Sequence, residues 1–250
     1  MPRWFVQLVG EHIDVTEFSR WFPNGPVCAV EENGTVYLTG TAFETLSDAD
    51  AVREEARKRV QECSGIILLE WGAFRPPTIG AVKCDNDRGG RDVTVPLVGE
   101  EARGIASSVG VAAGRSKVSG VGEAIGGPAQ EPQLTSAQTL LQRASGNDHL
   151  RAALYWFSKR PATGADLYKA LEEIESYLWE VHRKRWVHQV KPRLCTQDDR
   201  QRFADGVNRS SVLGDDARHA GEKPPPRLTP MDLPEAAAFI QRLLVAVLSR

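Results

Sequence analysis

Leu167-Tyr168-Lys169-Ala170-Leu171-Glu172-Glu173-Ile174 decides how the second half of this chain folds. Leu167, Leu171, Ile174 and, one turn on, Leu178 return every three or four residues, which gathers them on one face of a helix. The same period runs through Ser136 to Ala144, Asp148 to Ser158, Thr163 to about Val187, Gln197 to Asn208 and Leu233 to Ser249. In the last of these, Ala236, Ile240, Leu243, Leu244 and Val247 share a face, and Asp232 and Pro234 mark the start. Together these segments predict an all-helical bundle over residues 134–250.

Upstream the pattern changes. Apolar and β-branched runs at Trp4 to Val9, Val27 to Val30, Thr35 to Leu38, Ile66 to Trp71, Thr78 to Val82 and Asp92 to Leu97 read as strands. Asn33-Gly34 is a two-residue hairpin turn, because both residues tolerate positive φ. Leu46 to Cys63 carries Val52, Ala56 and Val60 every fourth residue behind Ser47 as N-cap, so one helix covers the sheet. Residues 1–98 therefore form a small α+β domain. Residues 99–133, with eight glycines, read as a linker or extended surface segment in which Ile105 to Val111 adds at most one weak strand. Gly120-Val121-Gly122-Glu123-Ala124-Ile125-Gly126 invites comparison with a dinucleotide-binding loop, but its third glycine comes one residue late and no strand-turn-helix surrounds it. The fold class is α+β: a β-rich front with one covering helix, a Gly-rich linker and a helical bundle.

Composition narrows the classes. The 250 residues hold 31 Lys and Arg against 33 Asp and Glu with 41% hydrophobic content, neither a charged disordered chain nor a membrane protein. No run approaches the roughly 18 apolar residues that cross a bilayer, and Trp4 to Val9 is too short for a signal segment. Cys28, Cys63, Cys84 and Cys195 stand far apart, which argues against a zinc site and a disulfide framework and for a reducing cytoplasm. His12 has no partner histidine at ligand spacing, and Asp85-Asn86-Asp87-Arg88-Gly89 has Pro96 where a calcium loop needs a glutamate. Neither a metal nor a cofactor is expected.

Charge divides along the chain. Residues 1–98 carry 10 basic and 15 acidic groups, whereas residues 134–250 carry 18 and 14, so a polyanion prefers the helical half. Within that half, Arg183, Lys184, Arg185, Lys191 and Arg193 fall in an acid-free stretch around Trp186. Cations and a stacking ring are what single-stranded nucleic acid needs; the competing reading is a basic helix terminus with Trp186 in the core. Trp4, Trp21, Phe22, Tyr155, Trp156 and Trp179 read as core or interface anchors. Tyr168 and Glu172 lie four apart on one helix face with Lys169 beside them, which favours pairing inside the bundle.

The order of Leu167 to Ile174, then Phe203 with Val207-Asn208, then Gly214 with Ala217-Arg218-His219-Ala220, then Pro230-Met231-Asp232-Leu233-Pro234-Glu235-Ala236, resembles bacterial proteins with a HEPN-like helical carboxyl-terminal domain. The resemblance covers roughly Leu150 to the end. It implies a helical bundle, a homodimer through that bundle, and engagement of RNA or a protein partner in bacterial stress or phage defence. Active relatives are metal-independent ribonucleases with an Arg and a His several residues apart. There a His moves the proton of a ribose 2′-hydroxyl and an Arg binds the phosphate. Here Arg218 stands directly beside His219, a departure that points to a noncatalytic or weakly catalytic binding module. In the ribonuclease alternative His219 transfers the proton, Arg218 holds the anion and Asn208 is a neighbouring donor. In the structural alternative Arg218 pairs with Asp215, Asp216 or Glu172. Arg183 with His188 and Arg143 with His149 also meet the family's spacing, but 23 arginines make roughly one such match expected by chance. A third alternative is a protein scaffold.

Overall fold

Trp4, Val6 and Leu8 alternate with Phe5 and Gln7 along β1 (Arg3–Val9), so one face of the strand joins the main core. The computed structural model, which describes residues 3–72, 74–85, 91–94, 134–218 and 225–250, sets this strand at the centre of a five-stranded sheet. α1 (His12–Trp21) follows. Asn33 and Gly34 then take φ of 52° and 75°, reversing the chain so that β2 (Cys28–Glu32) pairs with β3 (Thr35–Thr39). After α2 (Ala49–Trp71) come β4 (Thr78–Asp85) and β5 (Arg91–Thr94), giving the antiparallel order β2-β3-β1-β4-β5. Val6 of β1 faces Leu38 on one side and Val82 on the other.

The helical part consists of α3 (Ser136–Ser145), α4 (Asp148–Phe157), α5 (Gly164–His182), α6 (Gln197–Val207), the single turn α7 (Ser210–Leu213) and α8 (Leu233–Leu248). α3, α5, α6 and α8 each begin with a capping box, in which Thr135, Thr163, Thr196 and Asp232 bond the third helical residue and are bonded back by it. Asn147 caps α4 by accepting from His149 and Leu150. Phe203 of α6 and Phe239 of α8 meet at 5.1 Å between ring centroids. Gly206 lets α6 approach the Met231 backbone: a Cβ there would fall 2.1 Å from the Met231 carbonyl oxygen.

α2 links the sheet to the helices. Its start is fixed by Asp48, whose carboxylate accepts from the Ala51 and Asp50 amides at 2.8 and 3.1 Å and is held below the usual carboxylate range by those bonds, the Ala51 bond first. The helix packs on β1 and β4, and also on α3 and α4. At Gly65 the α4 backbone comes so close that a Cβ would lie 2.9 Å from the Leu154 carbonyl oxygen. Glu62, buried beside it, accepts from Arg59 at 3.0 Å and from Arg151 of α4 at 2.8 Å. One continuous cluster of buried residues therefore runs from Trp4 to Leu248.

Two expectations for the front half are corrected. The run Ile66 to Trp71 is not a strand but the end of α2, and the covering helix spans Ala49–Trp71 behind Asp48, not Leu46 to Cys63 behind Ser47. The reason is burial on all sides: Glu62 through Leu69 are all buried between the sheet and α4, so the apolar run loses its helical period. α1, which the sequence reading passed over, carries Val15 and Phe18 into the core, where Phe18 meets Phe22 at 5.4 Å. The five expected helices are all found, although α5 stops at His182 and not near Val187. The Gly-rich segment 99–133, with its weak strand and its glycine loop, lies outside the described residues. Among the described residues no helix is long and apolar enough to cross a membrane.

Candidate nucleic-acid interface

α5 builds one wall of the site. Its buried face is Leu167, Leu171, Ile174 and Leu178, and this fixes the phase of the opposite face: Glu172, Ser176 and Trp179, spaced four and three apart, turn outward. Arg183 ends the helix in the left-handed conformation (φ 54°, ψ 33°), its amide bonded to Trp179 O at 3.0 Å. The chain then doubles back. Val187 and Val190 plug into the core, and the Val187 amide reaches Glu175 Oε1 at 3.4 Å. Arg200 of α6 braces the loop from below, its Nε and a terminal nitrogen reaching the two oxygens of Glu175 at 2.7 and 2.9 Å. Burial pulls the Arg200 pKa down, but the bond to Glu175 and its charge outweigh that and leave it raised.

Between α5, His149 of α4 and this loop lies an open cleft of about 840 Å³. Glu172, Ser176, Trp179 and Glu180 line one side; Arg183, Arg185 and Trp186 line the other. Arg183, Lys184, Arg185, Lys191 and Arg193 are all exposed, and among the described residues none of them has an ion-pair partner. Trp186 is half-buried with the Arg200 guanidinium 4.1 Å and the Arg185 guanidinium 4.8 Å from its ring centroid. Arg200 is held there by both oxygens of Glu175, whereas Arg185 has no ion-pair partner among the described residues and is the one an incoming ring can displace. Trp179, read from sequence as a core or interface anchor, is not in the core: its exposure is 54%. The signal was in the phase, since Trp179 follows Leu178 and so falls about 100° off the apolar stripe.

The residues assigned to the ribonuclease alternative are arranged differently. The Arg218 amide bonds Val207 O at 2.8 Å, its guanidinium lies 3.9 Å from the Tyr168 ring centroid, and it pairs with Glu172 at 3.4 Å. Glu172 was one of the three carboxylates named for it; Asp215 makes no ion pair with it, and the Asp216 side chain lies outside the described residues. Asn208 is buried; its Nδ2 donates to Ala204 O of its own helix at 2.7 Å, and its Oδ1 has no partner among the described residues. His219 lies outside the described residues. Glu172 thus joins the two regions that the sequence kept apart, because it holds Arg218 and lines the cleft beside the cationic loop.

Other candidates have partners of their own. Arg143 donates to Leu248 O at 2.7 Å, and His149 Nδ1 meets Glu173 at 2.7 Å. Tyr168 stacks on Phe203, and Lys169 sits 4.0 Å from the Trp156 ring centroid rather than beside Glu172. Among the described residues no three His, Cys, Asp or Glu side chains gather as metal ligands do. No protein-family model, curated protein or solved structure matches the chain.

Proposed function

We propose that the helical half is a noncatalytic, HEPN-like module that binds single-stranded RNA along the Arg183–Arg193 loop. The observation that carries this reading is the run of five exposed cations without ion-pair partners among the described residues, two of which, Arg183 and Arg185, line a cleft with an exposed tryptophan. Phosphates suit the cations, and bases suit Trp179 and Trp186. Binding without cleavage is the favoured form because Arg218 is committed to Glu172 and Tyr168, and Asn208 to its own helix. A homodimer through the bundle and a role in bacterial stress or phage defence belong to the same proposal. The test is a labelled single-stranded RNA incubated with the protein in EDTA. The reading expects a complex and intact RNA, unchanged in His219→Ala; cleavage that His219→Ala abolishes moves the assignment to the ribonuclease alternative, and no complex at all leaves a scaffold.

A further inference from the structure

The cationic loop explains why a phosphate backbone would settle here, but not why the cleft beside it carries carboxylates. Glu175 has both oxygens on Arg200. Glu172 and Glu180 do not: Glu172 meets Arg218 through Oε1 and Glu180 meets Asn147 through Oε2 at 2.9 Å, and both side chains are exposed. Each keeps one oxygen without a partner among the described residues, in the same cleft as the exposed Trp179 ring. An ionised carboxylate only accepts hydrogen bonds. A base stacked on Trp179 is therefore sorted by the donors on its pairing edge. Guanine presents two adjacent donors, N1–H and N2–H2, which match the two oxygens of a carboxylate, because the oxygen that already accepts from Arg218 or Asn147 keeps a second lone pair. Adenine and cytosine offer one donor beside an acceptor, and uracil one donor between two acceptors, so each sets a lone pair against the carboxylate.

We propose that the cleft selects guanine: the base stacks on Trp179 and donates N1–H and N2–H2 to the exposed carboxylates, Glu172 or Glu180, while the loop holds the flanking phosphates. This rests on the RNA-binding reading above and adds base identity to it. The experiment is fluorescence anisotropy with labelled pentamers UUGUU, UUAUU, UUCUU, UUUUU and UUIUU, where inosine keeps N1–H and lacks the N2 amine. The expected result is about tenfold tighter binding of UUGUU than of the other three natural sequences, with most of that gain lost in UUIUU. In the Glu172→Gln, Glu180→Gln double variant the preference disappears while the salt dependence of binding stays. Both positions are surface residues of α5, so folding is expected to survive, and a thermal melt checks it. Equal, salt-sensitive affinity for all pentamers overturns guanine selection and leaves RNA binding standing. A guanine preference that persists in the double variant overturns the role of the carboxylates, and failure of every pentamer to bind overturns both readings.

Discussion

Glu175 shows how a buried charge is made tolerable and what it then organises. Only 7% exposed, it is held by two hydrogen bonds from Arg200, and the same Arg200 guanidinium forms the floor under Trp186. Arg200→Ala strands that carboxylate in the interior, and urea unfolding should register a loss of about 3–5 kcal/mol; a change below about 1 kcal/mol would mean that water reaches Glu175 freely. Cys195 sits in the same neighbourhood. Burial first, then the charges of Asp199 and Glu175, push its thiol up to about 11. Its folded-state value lies above that of a free thiol, so its protonated form favours the fold at neutral pH, and that advantage is lost as pH rises from about 9 towards about 11. Alkylation of Cys195 in the native protein, followed by peptide mass spectrometry, should be slow at pH 8 and climb steadily up to about pH 11. Rapid labelling at pH 8 would contradict the burial.

At the scale of elements, α2 carries the join between sheet and helices, and Gly65 is its tightest point. Gly65→Val drives a branched side chain into the Leu154 backbone and should cost about 1–3 kcal/mol or more, read as a lower urea midpoint. An unchanged midpoint would mean that α4 can slide away. The same helix marks where the sequence stops being legible. α3, α4, α5, α6 and α8 each have one wet face, so hydrophobic and charged residues alternate with the helical period and the elements can be read directly. Glu62 to Leu69 have no wet face, and Gly65-Ile66-Ile67-Leu68-Leu69 is as good a strand as a helix until its neighbours are known. The site divides likewise. Its cations stand in an acid-free run and were legible; the exposure of Trp179 followed only from its offset to Leu178, and the meeting of Arg218 with the cleft depends on a contact 46 residues away, which no local pattern encodes.

Taken whole, the molecule sets an acidic sheet-bearing front against a cationic loop on the helical side, with one shared core between them. On the RNA-binding reading, that division of charge would steer an approaching polyanion toward the loop. The loop is seated by Val187 and Val190 in the core and by Arg250 donating to Pro192 O at 2.7 Å, so the backbone that carries its cations is already in place. Sequence separates the two halves by charge and periodicity, and the structure ties them together through α2. The most direct test of the central claim is the affinity for a single-stranded RNA measured across salt concentration. With up to five phosphates neutralised, log affinity against log salt should fall with a slope of about −2 to −3.5, and the Arg183→Ala, Lys184→Ala, Arg185→Ala triple variant should flatten it by about 2. A slope near zero, or one that the triple variant leaves unchanged, would show that the loop does not bind phosphate.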